Sequence, residues 1–414
     1  MNFLWNIFAQ TAFIWVPIIL GIISWRLYME YQKQRYVSNK ISYVMLEINI
    51  PKDVHKSPEA MEIIIDVLHH MGGGGMSWRH RVWMGAQLHP ASLEIISVEG
   101  SVYFFMRVST QIAQLVKSTI YSQYPNVEIN EVDDYTKYVP NYNFHQHSWD
   151  VYGADFKLSG PNFLPIKTYI DYGLDKAIGS LEEEQKIDPL TPLLEYLGTL
   201  RAGEQIWLQF IVRADGFSNW RDQAKEYIKE KIGKASMISD DETFQTVRLS
   251  HGEQEQIKAI ERSLSKLAFE TVIRGLYIAR KDNFKKTSVG FFKNPIFKPF
   301  NSQYLNSIRK KSDSDPIDWV WQDITGLKGP RLKRDFFNAY VGRSSFYGSP
   351  FDFSRPSTLP SAFFQLFFPK KEEHMVLTSE ELATLFHIPG RVSETTSVAR
   401  IDATKSEPPV NLPL

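Results

Sequence analysis

The pattern of apolar and polar positions separates one long apolar run from a body of short alternating and helical segments. Residues 1–25 (MNFLWNIFAQTAFIWVPIILGIISW) carry no charged side chain, and Arg26, Lys33, Arg35 and Lys40 follow closely. An apolar run of about 20 residues is long enough to cross a bilayer as a helix. Trp5 and Trp25 stand near its two ends, where amphipathic rings favour the membrane interface. The residues expected to meet lipid are Phe3, Trp5, Phe8, Ile14, Trp15, Ile18, Ile19, Leu20, Ile22, Ile23 and Trp25. Cations occur only on the C-terminal side of the run, which by the positive-inside rule places the N-terminus outside and the body in the cytoplasm. A cleaved signal peptide needs a basic leading region and a small-residue cleavage site, and neither is visible, so an uncleaved anchor is expected. A buried or interfacial helix of a soluble protein is the alternative reading of the same run.

Beyond the anchor, residues 27–36 continue as a juxtamembrane helix. Val44, Leu46 and Ile48 alternate within 43–50, as in a half-buried strand. Ser57-Pro58-Glu59 is a helix start, with Ser as N-cap, Pro at the first helical position and an acid in the first turn. Met61, Ile64, Ile65 and Leu68 then share one helical face. Segments 92–98 and 102–108 read as a hairpin across Glu99-Gly100-Ser101. Ile112, Leu115, Val116 and Ile120 form a second helical face, and 127–132 a closing strand. The order βαββαβ is that of a ferredoxin-like sandwich.

A second unit begins near Gly153. Its expected strands are 154–158, 166–170, 204–214 and 271–279, and its helices are a short one from Asp188-Pro189 to Gly198, then 220–232 and 254–267. Within 204–214, Ile206, Leu208, Phe210 and Val212 share a face. This unit reads either as a diverged copy of the first or as an unrelated α+β unit. The expected fold class is therefore α+β, a transmembrane helix followed by two α+β units. The expected divisions are 1–36 (anchor and juxtamembrane helix), 37–150 (ferredoxin-like), 151–285 (second α+β domain), 286–376 (basic, aromatic, irregular) and 377–414 (a motif and a Pro-rich tail).

Composition changes this picture in two places. The 47 basic and 47 acidic residues cancel over the 414-residue chain, so no global pull toward nucleic acid exists. Yet 280–343 holds 14 Lys and Arg against 6 Asp, a local surplus of eight. Arg309, Lys310, Lys311, Arg331, Lys333 and Arg334 are its candidate polyanion-binding residues, interleaved with aromatics; solvated loops, a protein partner, anionic lipid or nucleic acid would each suit them. Cysteine is absent, which excludes disulfides, thiol catalysis and Cys-based zinc sites.

The candidate chemistry is thin. Gly72–Gly75 leads to Met76-Ser77-Trp78 after a helix, and Gly233-Lys234 is followed by Ala235, so neither is a phosphate-binding P-loop. His69, His70, His145 and His147 could ligate a metal but lack an obvious third partner. Asp133-Asp134 and Glu182–Glu184 read as solvated acids. The run Phe363-Phe364-x-Leu366-Phe367-Phe368 reads as core, or as a segment meeting a membrane or partner. No cofactor, metal or catalytic residue is expected, although a hydrolase site near His145, His147 and Asp133 is a rival reading.

Several strings together resemble a known family: SPEAMEIIIDVLHH (57–70), YPNVEINEVDDYTKY (124–138), DPLTPLLEYLGTL (188–200), GEQIWLQFIVRA (203–214), LTSEELATLFHIPG (377–390) and EPPVNLP (407–413). They resemble an uncharacterised membrane-anchored family of candidate-phyla bacteria. In that family this region precedes or accompanies a type IV secretion or conjugative coupling-type ATPase. The resemblance covers nearly the whole chain, and its EELATLFHIPG and EPPVNLP pair is the most specific part. It implies a non-enzymatic scaffold that tethers a P-loop motor at the cytoplasmic membrane face. The chain reaches Leu414 before any P-loop, so it reads as a stand-alone anchor subunit or as the front of a longer protein. Glu381, Leu382, Leu385, Phe386, His387 and Ile388 are then the expected motor-docking residues. The expected partners are membrane lipid and the ATPase, with a homo-oligomer or DNA as further options. The rival from the basic window is a nucleic-acid- or lipid-binding membrane protein.

Overall fold

The computed structural model describes residues 11–51, 56–70, 79, 83, 88–138, 148–175, 187–216, 218–236, 249–293, 295–315, 328–344, 374–390 and 400–401. The chain forms two compact units. One comprises Met1–Ser42, Gly73–His89 and Ser344–Glu373; the other is built from Tyr43–Gly72, Pro90–Arg343 and His374–Leu414.

In the first unit, helix α1 (Ala12–Lys40) joins the apolar run and the juxtamembrane segment without a break, and Pro17 sits inside it. Its stretch Ala12–Met29 is long and apolar enough to cross a membrane, and none of that stretch is buried within the protein.

The second unit is α+β. Its first half runs β1 (Tyr43–Pro51), α2 (Glu59–His70), β2 (Ala91–Val98), β3 (Ser101–Ser109), α3 (Thr110–Gln123) and β4 (Glu128–Val132). The second half runs β5 (Trp149–Leu158), α4 (Thr191–Gly198), β6 (Glu204–Ala214), α5 (Trp220–Ser236), α6 (His251–Leu264), β7 (Ala268–Arg280), α7 (Lys286–Lys293) and β8 (Ile308–Asp313). Helix α8 (Lys328–Val341), strand β9 (Met375–Thr378), helix α9 (Ser379–Leu385) and the two-residue β10 (Arg400–Ile401) complete it.

Both halves contribute to one antiparallel sheet, in the order β4-β1-β3-β2-β6-β7-β5-β8. Numbered within its half, each set reads fourth, first, third, second outward-to-seam, and the seam is the β2–β6 pair running from Ala91↔Val212 to Val98↔Gln205. The sheet is thus larger than the four-stranded one expected of an isolated first unit. β2 and β3 are joined through Glu99 and Gly100, both at positive φ (54° and 89°), the backbone that a two-residue hairpin needs. β6 and β7 are instead joined through α5 and α6. β9 pairs with Ala268–Thr271 of β7 and β5 with Ile273–Arg280, so the two share one edge of β7 end to end.

The larger core lies on the face carrying α2, α3, α4, α7 and α9. It joins Met61, Ile64, Ile65 and Leu68 to Leu46, Leu93, Phe104, Leu208, Phe210 and Ile273. Burying each such side chain is worth about 1.5–3 kcal/mol. The opposite face is covered by α8, whose Phe337 and Tyr340 meet Phe105, Trp207, Leu276 and Ile278. Gly153 of β5 makes this approach possible, because a Cβ there would stand 2.9 Å from the Phe336 side chain.

Two local expectations are corrected. Residues 166–170 form no strand. Ile166 donates its N–H to the Glu381 carboxylate, and Thr168 caps a short 3-10 helix at Tyr169–Tyr172. On α3 the buried face is Ala113, Val116 and Ile120, while Leu115 is exposed, since the inward positions follow the spacing i, i+3, i+7.

Candidate functional site

Among the expected lipid-facing residues, Ile14, Ile18, Leu20, Ile22 and Trp25 are exposed on α1, and Ile19 and Ile23 are half-buried. Phe3, Trp5 and Phe8 lie outside the described residues, and so does the side chain of Trp15.

The expected motor-docking residues have a different position. Glu381, Leu382, Leu385, Phe386, His387 and Ile388 are all buried in this chain's own core, none more than 3% exposed. The physical reason is that β9 extends the sheet and α9 packs against α2, so the apolar face of EELATLF is covered from within. Phe386 lies edge-on to Phe104 at 5.8 Å. These residues form no exposed docking surface in this fold.

Most polar groups buried with α9 are paired, Glu380 Oε2 excepted. The Glu381 carboxylate accepts from the N–H groups of Thr378 (2.8 Å) and Ile166 (2.9 Å), and burial nevertheless pushes its pKa up to about 7. Glu380 accepts from Thr168 (2.6 Å) and pairs with Arg262 (3.0 Å); burial raises its pKa. Glu62 accepts from Tyr169 (2.9 Å) and Ser379 (3.1 Å) and pairs with Lys266 (2.7 Å). His387 bridges the Asp188 carboxylate (2.9 Å) and the Ala383 carbonyl (3.0 Å).

A second polar cluster ties α8 to the sheet. Arg343, two residues beyond α8, holds Glu94 of β2 through two contacts of 2.8 and 3.1 Å and Asp134 through two of 2.7 and 3.2 Å. Tyr135 donates to Glu94 (2.6 Å) and meets the Tyr340 hydroxyl (2.9 Å), while Gln209 donates to Glu94 (3.0 Å). Burial alone would push Glu94 up, but the Arg343 guanidinium and the hydrogen bonds from Ser92 and Tyr135 hold it below the usual carboxylate range. Asp134 is lowered in the same way, Arg343 outweighing burial. Burial drives both tyrosines well above their ordinary values. Chemically this cluster is a closed set of ion pairs that positions a helix. Neither carboxylate is free to act as a base, because Arg343 engages both oxygens of each.

The sequence pointed to only part of this cluster. Asp134 stood out as one of a pair of acids, whereas Glu94 and Arg343 did not. The available signal was Glu94 itself, an acid inside the apolar run of β2, where every residue from Ala91 to Ser97 is buried.

The basic candidates fall into two groups. Arg309 and Lys311 are exposed on the edge strand β8, and Lys310 pairs with Asp313. Arg334 is exposed on α8, Arg331 is half-buried, and Lys333 pairs with Asp150 at 2.7 Å. Arg309 stands opposite Lys157, seven residues along β5 from Asp150, or about 23 Å at strand rise. The six residues therefore do not form one patch. Asp133 is exposed and pairs with Lys137 at 3.4 Å, and His69 stands edge-on to Phe269 at 5.4 Å. His145, His147, Glu182–Glu184, Gly72–Gly75 and the 363–368 run lie outside the described residues. Among the described residues, no group of three or more His, Asp or Glu side chains is arranged to hold a metal ion.

No protein-family model matches the chain, and no curated protein matches it significantly.

Proposed function

We propose that this protein is a membrane-tethered, non-catalytic scaffold. The observation that carries the reading is α1, whose unburied apolar stretch Ala12–Met29 is joined through a single helix to an α+β body. Arg26, near the C-terminal end of the stretch, and Arg35 beyond it support a cytoplasmic body and an outside N-terminus. Each half of the body is proposed to be a ferredoxin-like unit, the second a duplicate of the first with α5 and α6 inserted. The shared order of strands on either side of the β2–β6 seam supports this.

The resemblance of the chain to a family that accompanies coupling-type ATPases supports a place in a type IV secretion-like or conjugative apparatus, beside a P-loop motor. Because α9 is internal, motor contact through this body would use other surfaces. The test is cross-linking of the full chain in native membranes followed by mass spectrometry, with alkaline carbonate extraction in parallel. Retention in the membrane pellet with cross-links to a P-loop ATPase is the expected result. Release by carbonate overturns the anchor, and retention without any ATPase cross-link overturns the motor role.

A further inference from the structure

The connection between α2 and β2 carries the string Met76-Ser77-Trp78-Arg79-His80-Arg81-Val82-Trp83. It belongs to the same compact unit as α1. Two ring contacts fix its position. Trp83 stands edge-on to Trp25 at 5.9 Å, and His89 lies 6.3 Å from Tyr36. Trp25 and Tyr36 are 11 residues apart on one helix, about 16 Å along its axis. Six residue steps separate Trp83 from His89, and an extended chain covers at most about 20 Å in six steps. Trp83 and His89 therefore meet α1 about three turns apart, and Trp83 stands at the C-terminal end of the stretch long enough to cross a membrane.

The rings gathered there are not covered by protein. Trp25 is 46% exposed and Trp83 55%, and Tyr28, also exposed, lies 6.0 Å from Trp25. Burying a tryptophan in a protein core would remove it from solvent; this pair is left open. Tryptophan and tyrosine favour the headgroup level of a bilayer, where one side of the ring is apolar and the other wet. The exposed Arg79, and Arg26 beside Trp25, suit the phosphates of that same layer.

We propose that Trp83 is a second membrane-contacting residue, an aromatic anchor outside α1 that sits with Trp25 at the headgroup–acyl boundary of a phospholipid bilayer. The proposal rests on the anchor reading of α1 and adds a contact that the helix does not supply. A single spanning helix is free to turn about its axis, and a second ring fixed beside it at the interface restrains that turn.

The absence of cysteine allows a direct test, since any introduced thiol is unique. The full chain carrying Trp25→Cys, Trp83→Cys or Tyr304→Cys is labelled with a nitroxide and reconstituted into vesicles of phosphatidylcholine and phosphatidylglycerol. Collision with oxygen, which prefers lipid, is compared with collision with a polar nickel complex. Far-ultraviolet circular dichroism confirms that each variant is folded. Oxygen-dominated collision at both Trp25 and Trp83, with nickel-dominated collision at the exposed Tyr304 of the body, is the expected result. Oxygen dominance at Trp25 alone overturns the proposal and leaves the anchor intact. Nickel dominance at both positions overturns the anchor reading together with the proposal. A label at Trp83 shielded from both reagents shows a protein-covered ring and also overturns it.

Discussion

Arg343 and Glu94 lie 249 positions apart and share a two-point ion pair of 2.8 and 3.1 Å inside the body. One belongs to the chain leaving α8, the other to the middle of β2. Arg343 adopts a positive φ of 45°, a backbone state that costs a non-glycine residue about 1–3 kcal/mol and persists where surrounding contacts enforce it. The ion pairs supply that enforcement.

Removing Arg343 is the first test of this role. Arg343→Ala leaves Glu94 charged and buried, and breaking a buried pair in this way costs about 3–5 kcal/mol. Urea unfolding would read the loss, and hydrogen exchange would place it in α8. Amides of α8 are expected to lose protection before those of α2. A stability loss within ~0.5 kcal/mol, the level of an ordinary surface substitution, would show that the latch is dispensable.

Acid should act on the same latch. Glu94 and Asp134 have folded pKa values held below their ordinary 4.5 and 3.8, after Arg343 outweighs burial. A depressed carboxyl contributes stability above its unfolded pKa and loses it as pH falls through the folded value. Stability is thus expected to decline on acidification below 4.5, with α8 exchange rising first. In Arg343→Ala this part of the acid slope should flatten. An unchanged slope in the variant would assign acid lability to other carboxylates.

His387 predicts the opposite dependence. Burial lowers its pKa, but the Asp188 carboxylate and the carbonyls of Ala383 and Thr384 more than offset this, so the folded value lies above 6.5. A raised histidine contributes stability that is full below 6.5 and is lost as pH rises through the folded pKa. Glu381, raised to about 7 by burial, works in the same sense between 4.5 and that value, since ionising it is unfavourable in the folded state. His387→Gln isolates the histidine share. It should destabilise more below 6.5 than well above it, by about 1–3 kcal/mol for a buried hydrogen-bonded partner. Equal losses at both pH values would mean that folding leaves the His387 pKa unshifted, and a larger loss at high pH that His387 is held neutral.

Local periodicity explains which features could be read from the sequence. Met61, Ile64, Ile65 and Leu68 repeat at helical spacing and Ile206, Leu208, Phe210 and Val212 alternate, so their inward faces were legible. Pairings over long separations were not. The β2–β6 seam joins residues more than 100 positions apart, and the hint was only that β2 carries apolar side chains on both faces, Leu93 and Ile95 on one and Ile96 and Val98 on the other. The Arg343 cluster needs partners 209 and 249 positions away. Residues 166–170 are rich in β-branched and aromatic side chains, as strands are, yet their backbone is claimed by Glu381 and Thr384 from α9. The same long reach misled the reading of Leu382 to Ile388: an apolar helical face announces that something covers it, without saying whether the cover is another protein or the rest of the same chain.

That last ambiguity yields a decisive prediction. If α9 is a structural closure of this body, truncating its inward side chains must destabilise the protein itself rather than merely weaken a partner. Leu382 is fully buried and Phe386 is 1% exposed against Phe104. Leu382→Ala and Phe386→Ala should each cost about 2–5 kcal/mol through lost burial and the cavity left behind. Calorimetry on the purified full chain, with no partner present, reads this directly as a fall in Tm of several degrees. Exposed Leu115 serves as the control, and Leu115→Ala should leave Tm nearly unchanged. Should the two α9 variants also melt like the parent, the segment is not held in this core, and its apolar face becomes available again for a motor or another partner.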